Sequence, residues 1–155
     1  ADKDKPLPKD FKSLKALAEE GNAEAQYQLA EALFWGIGGN QDLKQAAVWS
    51  RASAKQGNAK GEYRLAVQLL LGQGMESTNE NDKEGFEWLA KASKGLQELA
   101  DRGDHDAQHK LALLYLSGLI KGRRITRMLS TEKRSLIWLI KRPMEGMFLH
   151  SFGWA

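Results

Sequence analysis

Few residues in this chain have the type and spacing that chemistry needs. His105 and His109 lie four apart beside Asp104 and Asp106, a spacing that puts two imidazoles on one side of a helix as metal ligands. No convincing third ligand stands near them. The plainer assignment makes Asp104 a helix cap, His105 a solvated first-turn residue and His109 the counterpart of Tyr27 and Tyr63 in a repeated pattern. Glu19-Glu20 and the Asp104/Asp106 pair are carboxylates of the kind general acid–base catalysis uses, yet acids near helix ends are common and favourable on electrostatic grounds alone. "GIGG" at 36–39 follows a helical pattern instead of opening a helix after a strand, so it reads as a turn and not as a phosphate loop. The chain has no cysteine, which removes thiolate nucleophiles, disulfides and cysteine-held zinc. No Ser/His/Asp constellation can be assembled. We therefore expect no enzyme, no metal and no cofactor.

What these residues share is a phrase said three times. "GNAEAQYQLA" from Gly21 returns as "GNAKGEYRLA" from Gly57 and "GDHDAQHKLA" from Gly103, and each copy has a second glycine fifteen residues on, at Gly36, Gly72 and Gly118. Ala25, Gly61 and Ala107 recur in step, as do the Leu-Ala pairs at 29–30, 65–66 and 111–112. Spacings of three and four place these on one helical face. Asn22, Asn58 and Asp104 suit an N-cap, and the second glycines suit a left-handed C-terminal turn. Each phrase is thus one helix with its own start and stop.

A second helix follows, read from "DLKQAAVWSRASAKQG" and "DKEGFEWLAKASKGLQELADRG". Trp49 and Trp88 each have a small residue three before them, Ala46 and Gly85, which lets a partner helix come close while the indole fills the gap. Trp49 lies eight residues before Gly57 and Trp88 fifteen before Gly103, so the rear helix of the second copy should be about two turns longer. "STNENDKEG", 77–85, reads as a polar connector between the helices of that copy. The pattern as a whole resembles the Sel1-like repeat family, relatives of the tetratricopeptide repeats, over about residues 10–118. The resemblance implies an all-α fold, an α-solenoid of antiparallel helix pairs that acts as a protein-binding scaffold and in bacteria is often exported. "DFKSLKALAEEG" would be a preceding half-repeat or cap with Phe11, Leu14 and Leu17 facing inward. One helix pair cannot bury its apolar stripe alone, so copies stack and cover one another.

The segments expected are therefore an N-terminal extension (1–9), a helical-repeat domain (10–118) and a divergent basic tail (119–155). The chain's pI near 9.1 belongs entirely to that tail. Residues 1–118 hold 15 Lys+Arg against 18 Asp+Glu, and residues 119–155 hold 8 against 2. A slightly acidic body without a basic stripe argues against nucleic acid. Two readings of the tail stand. It is a worn fourth unit, with Ser135 three before Trp138 and Gly146 eight after it but Arg142-Pro143 where a helix should run. Alternatively it is out of frame, because the codons for Lys141 to Ala155, shifted by one base, permit "KAADGGDVSAQFWLG", a better repeat.

No apolar run approaches a membrane span. The opening Ala1-Asp2 suits a mature exported protein or a trimmed chain, and we expect a periplasmic or secreted location. In related helical repeats the first helix of each pair lines the concave side. Carried over by position, the partner-binding set is Glu24, Tyr27, Glu31, Phe34 and Trp35; Lys60, Tyr63 and Val67; Asp106, His109 and Leu113, with Leu70 and Leu116 at the corresponding apolar sites. Aromatic anchors flanked by charge are what a binding face needs, and replacing Tyr27 and Tyr63 by alanine should weaken partner binding while leaving helicity intact. Two functions follow. One is a non-enzymatic protein binder, an adaptor or an inhibitor such as an immunity protein for a secreted toxin; the other is a binder of a small ligand or cell-wall fragment, with weak hydrolytic chemistry. Self-association through an exposed solenoid end is a further expectation.

Overall fold

The computed structural model describes residues 6–116. Among them six helices follow one another with no strand: α1 (Phe11–Glu19), α2 (Ala23–Trp35), α3 (Leu43–Lys55), α4 (Ala59–Leu71), α5 (Asn79–Asp101) and α6 (His105–Leu116). The tail and Gly118 lie outside the described residues.

The helices open where the sequence supplies an acceptor. Asn22, Asn58 and Asp104 accept through Oδ1 from the backbone N–H of Ala25, Gly61 and Ala107 at 2.8, 3.0 and 2.9 Å, each satisfying one of the donors a helix start leaves free. Asp10, Asp42 and Thr78 do the same for α1, α3 and α5. α2 and α4 end on Gly36 and Gly72 at φ 69° and 63°, where a side chain would strain the backbone.

Two sequence expectations meet different outcomes in α5. Its greater length is present, at 23 residues against 13 for α3. The connector expected over 77–85 is mostly helix, because Thr78 caps α5 and Glu80 and Asp82 fall in its first turn, where acidic side chains interact favourably with the helix dipole. Only the start of that stretch is a loop.

Packing shows why the units stack. Leu14, Ala18, Ala25 and Leu29 bury one another with Phe11, Leu17 and Trp49 partly covered against them, so α1 does serve as the inward-facing cap. A second cluster joins Ala59, Tyr63 and Ala66 of α4 to Leu89, Ala92 and Leu96 of α5 and to Ala107, Leu111 and Leu114 of α6. Trp88 packs on this cluster and also on Ala54, Leu65 and Leu69, which ties α5 to both neighbouring repeats. Gly85 carries the expected close approach: a Cβ there would stand 2.8 Å from Leu70 Cγ. The Arg51 guanidinium adds a two-pronged bond from α3 to Glu84 of α5, and Trp88 Nε1 donates to the same carboxylate at 3.0 Å.

Candidate partner-binding face

All eleven sequence-predicted site residues lie on α2, α4 and α6. α4 touches both of the other two, so these first helices present one inner face. Along that face the residues sort into three tiers.

At the N-terminal end, Lys60 Nζ lies 2.8 Å from Asp104 Oδ2 and 3.7 Å from Asp106 Oδ2. Glu24 accepts from Asn58 Nδ2 at 2.9 Å and Gln28 Nε2 at 3.0 Å. A cleft of about 430 Å³ opens here, with Glu24, Lys60, Glu98 and Asp104 among its walls. Neither Tyr63 nor His109 lines it.

The middle tier is a buried network. Arg64 makes two hydrogen bonds to the Glu31 carboxylate, one of them from Nη2 at 3.0 Å, a planar pairing that arginine makes better than lysine. The same guanidinium lies 4.2 Å from the Phe34 ring centre and 5.5 Å from that of Trp35. Tyr27 donates its hydroxyl to Asp106 Oδ2 at 2.9 Å, and Lys110 Nζ donates to Asp106 Oδ1 at 2.6 Å. Lys110 also stands over both tyrosines, 5.2 Å from the Tyr27 ring centre and 5.7 Å from that of Tyr63. Each cation thus has an acid and an aromatic face.

This corrects the sequence reading at four positions. Tyr27, Glu31, Phe34 and Tyr63, expected to meet a partner, are 2%, 4%, 4% and 8% exposed. They hold the inner face together from within. The paired tyrosine-to-alanine replacement would therefore cut into the core, at about 3–5 kcal/mol for each large aromatic. Arg64 and Lys110 were missed. Both stand seven residues after a repeat glycine, directly after Tyr63 and His109.

Electrostatics follow the geometry. Burial pushes the Asp106 carboxyl up, but Lys110, Lys60 and the Tyr27 hydroxyl together bring it below the ordinary aspartate value. Glu31 behaves likewise, burial opposing and Arg64 and Lys110 prevailing. Burial, reinforced by Glu31 and Asp106, holds the Tyr27 hydroxyl well above its usual range. Burial also pushes Tyr63 up to about 12. For His109, burial and then Lys110 hold the imidazole below its ordinary range. His105 is exposed, with Nδ1 3.2 Å from Gln108 Oε1. No group of three or more potential metal ligands occurs among the described residues.

The C-terminal tier is apolar. Trp35, Leu70 and Leu116 are half-buried, as are Val67 and Leu113 one turn earlier at the repeat position of Glu31, and Trp35 Nε1 reaches Glu31 Oε2 at 3.4 Å. Leu71, which repeats the position of Trp35, is 66% exposed and was not anticipated. No described helix is long and apolar enough to cross a membrane.

Capped helix pairs of one pattern, stacked so that their first helices share a face, define the chain as an all-α repeat solenoid. The Sel1 repeat model matches residues 23–58, 59–95 and 105–141, and the chain belongs to that family. The third match runs past Gly118 into the basic segment. Proteins of this family commonly mediate protein–protein interactions and are generally non-catalytic scaffolds. Among solved structures, the chain is similar to a protective antigen of uropathogenic Escherichia coli strains displaying an SLR fold, at 32% identity and a TM-score of 0.50 over 72% of this chain and 22% of that one. It is also similar to a Sel1 repeat protein from Oxalobacter formigenes, at 26% identity and a TM-score of 0.50, covering 65% of this chain and 68% of the other. The chain spans about a fifth of the first of these proteins. No curated protein matches it.

Proposed function

We propose that this chain is a non-catalytic binding module that engages a protein partner through the apolar end of its inner face, as an adaptor or as an inhibitor of the immunity-protein kind. The observation that carries the reading is the contrast between tiers. The middle of the face is internally paired, while Trp35, Val67 and Leu113 with the exposed Leu71 leave apolar surface toward one end and the partly exposed Glu24, Lys60 and Asp104 place charge at the other. An apolar anchor region with a polar rim is how binding faces are built.

The test uses Leu71→Asp, at an exposed position, and Trp35→Ala, which also removes contacts with Glu31 and Arg64, so thermal unfolding of each variant is measured first. Tagged wild type and variants would be used for capture from an envelope extract, the compartment our expectation of export points to, and the affinity of any retained protein would be measured. A protein held by wild type, whose binding weakens by about 2 kcal/mol or more in the variants, supports the reading. Unchanged affinity would move the site off this face. The small-ligand alternative has one observation in its favour, the charged cleft beside Glu24, Lys60 and Asp104; capture of no protein by any form would favour it.

A further inference from the structure

In two of the repeats the side chain five residues after the opening glycine bonds to the end of the preceding helix. In the first it is Gln26, whose Nε2 donates to the Ala18 carbonyl at 3.1 Å; in the third it is Gln108, whose Nε2 donates to the Ala100 carbonyl at 3.0 Å. Both carbonyls lie three residues before the repeat glycine and also accept from its N–H, Gly21 at 3.1 Å and Gly103 at 3.0 Å. The middle repeat keeps half of this arrangement. The Gly57 N–H donates to the Ala54 carbonyl at 2.9 Å, but the residue five after Gly57 is Glu62. An ionised carboxylate accepts hydrogen bonds and cannot donate one. Glu62 is 8% exposed, and no hydrogen bond to its carboxyl is present among the described residues.

We propose that Glu62 is a proton-operated fastener between the first two repeats: when protonated, its carboxyl O–H donates to the Ala54 carbonyl as the Gln26 and Gln108 amides donate to theirs, and tightens α4 against α3. The consequence reaches the inner face, since Arg64, two residues on, is the partner of Glu31 in α2.

The surroundings strengthen the carboxyl's hold on its proton. Burial raises the Glu62 carboxyl above its ordinary 4.5, with the Lys91 ammonium of α5 opposing. Of the cations on α3, Arg51 and Lys55 act on Glu84 instead. α2 and α6 bring no charge to bear on Glu62. A carboxyl raised on folding contributes stability that grows as pH falls through its folded value and is lost as pH rises above it. Glu31 and Asp106 have the opposite sign, since both are held below their ordinary values and weaken the fold only at lower pH. Mild acid therefore closes the fastener while the Glu31 to Arg64 pair is still ionised.

The test is the pH dependence of thermal unfolding for wild type, Glu62→Gln and Glu62→Leu, with the Glu62 carboxyl followed by 13C NMR in the wild type. Expected are a carboxyl titrating above 4.5, a Gln variant melting about 4 °C or more above wild type at neutral pH, a gap that closes in mild acid, and a smaller gain for Leu. A gap independent of pH, a carboxyl at or below 4.5, or a Leu variant matching Gln would each overturn the proposal. The last would mean that removing the buried charge suffices and that no bond to Ala54 forms.

Discussion

Arg64 is the side chain with the most depending on it. Its charge compensates a Glu31 carboxylate whose side chain is 5% exposed, and its plane covers Phe34. Removing one member of a buried pair leaves the other uncompensated, which costs about 3–5 kcal/mol, whereas replacing both by apolar groups of similar volume is often neutral. Arg64→Ala should therefore lower the stability measured by urea unfolding by that amount, and Arg64→Leu with Glu31→Leu should recover most of it. In Arg64→Ala the Glu31 carboxyl loses the cation that holds it down, so the deficit should shrink as pH falls and the acid takes up a proton. At this scale the sequence was partly legible. Repeat spacing found the positions that face one another, but the sign of their role was hidden. Whether an acid beside an aromatic points to a partner or to its own neighbour depends on the cation opposite, and Arg64 lies 33 positions from Glu31 in the chain.

Helix starts and stops were legible because they are local: Asn22, Asn58 and Asp104 bond within three residues of themselves. The start of α5 was not, since a run of polar residues suits a loop and a capped first turn equally, and Thr78 decides it only by bonding to Asn81 N–H at 3.1 Å. The spacing of adjacent helices was also out of reach, and Gly61 shows why. Its counterparts Ala25 and Ala107 are alanines, and an alanine raises helix propensity by about 1 kcal/mol over glycine. By sequence alone Gly61→Ala is therefore a stabilising change. In the structure a Cβ at 61 would stand 2.4 Å from Ser53 Oγ and 2.7 Å from Ser53 Cβ, and Ser53 is held by donating its hydroxyl to the Ala23 carbonyl at 2.7 Å. Overpacking of this kind costs about 1–3 kcal/mol. We expect Gly61→Ala to lower the unfolding midpoint, and a raised midpoint would show that α3 yields.

A stack in which each unit touches only its neighbours gains stability step by step along its length. Among the described residues a hydrogen bond departs from that rule. The Tyr27 hydroxyl reaches Asp106, 79 positions away, joining the first repeat to the third across the second. Tyr27→Phe keeps the ring and removes only that bond, leaving the Asp106 carboxylate with Lys110 on Oδ1 and Lys60 3.7 Å from Oδ2, and should cost about 1–2 kcal/mol. The informative reading is hydrogen exchange: protection should fall in α6 as well as α2, whereas a loss confined to α2 would show that the two repeats are not coupled. The overall solenoid was legible from periodicity, while a contact between its first and third units has no signature in spacing. The longer α5 leads to a different consequence. Trp88 stands seven residues further from its closing glycine than Trp49 does, and seven residues turn an α-helix through two revolutions to within about 20°. An insertion of that size lengthens the rod while returning every later side chain to nearly its former azimuth. The unit thus grows by two turns without rotating the third repeat away from the other two. The added length carries Gly95, Glu98 and Leu99 out to wall the cleft, so a change in length alone, in steps of whole heptads, is a route by which such a chain acquires a new recess while its stacking stays in phase.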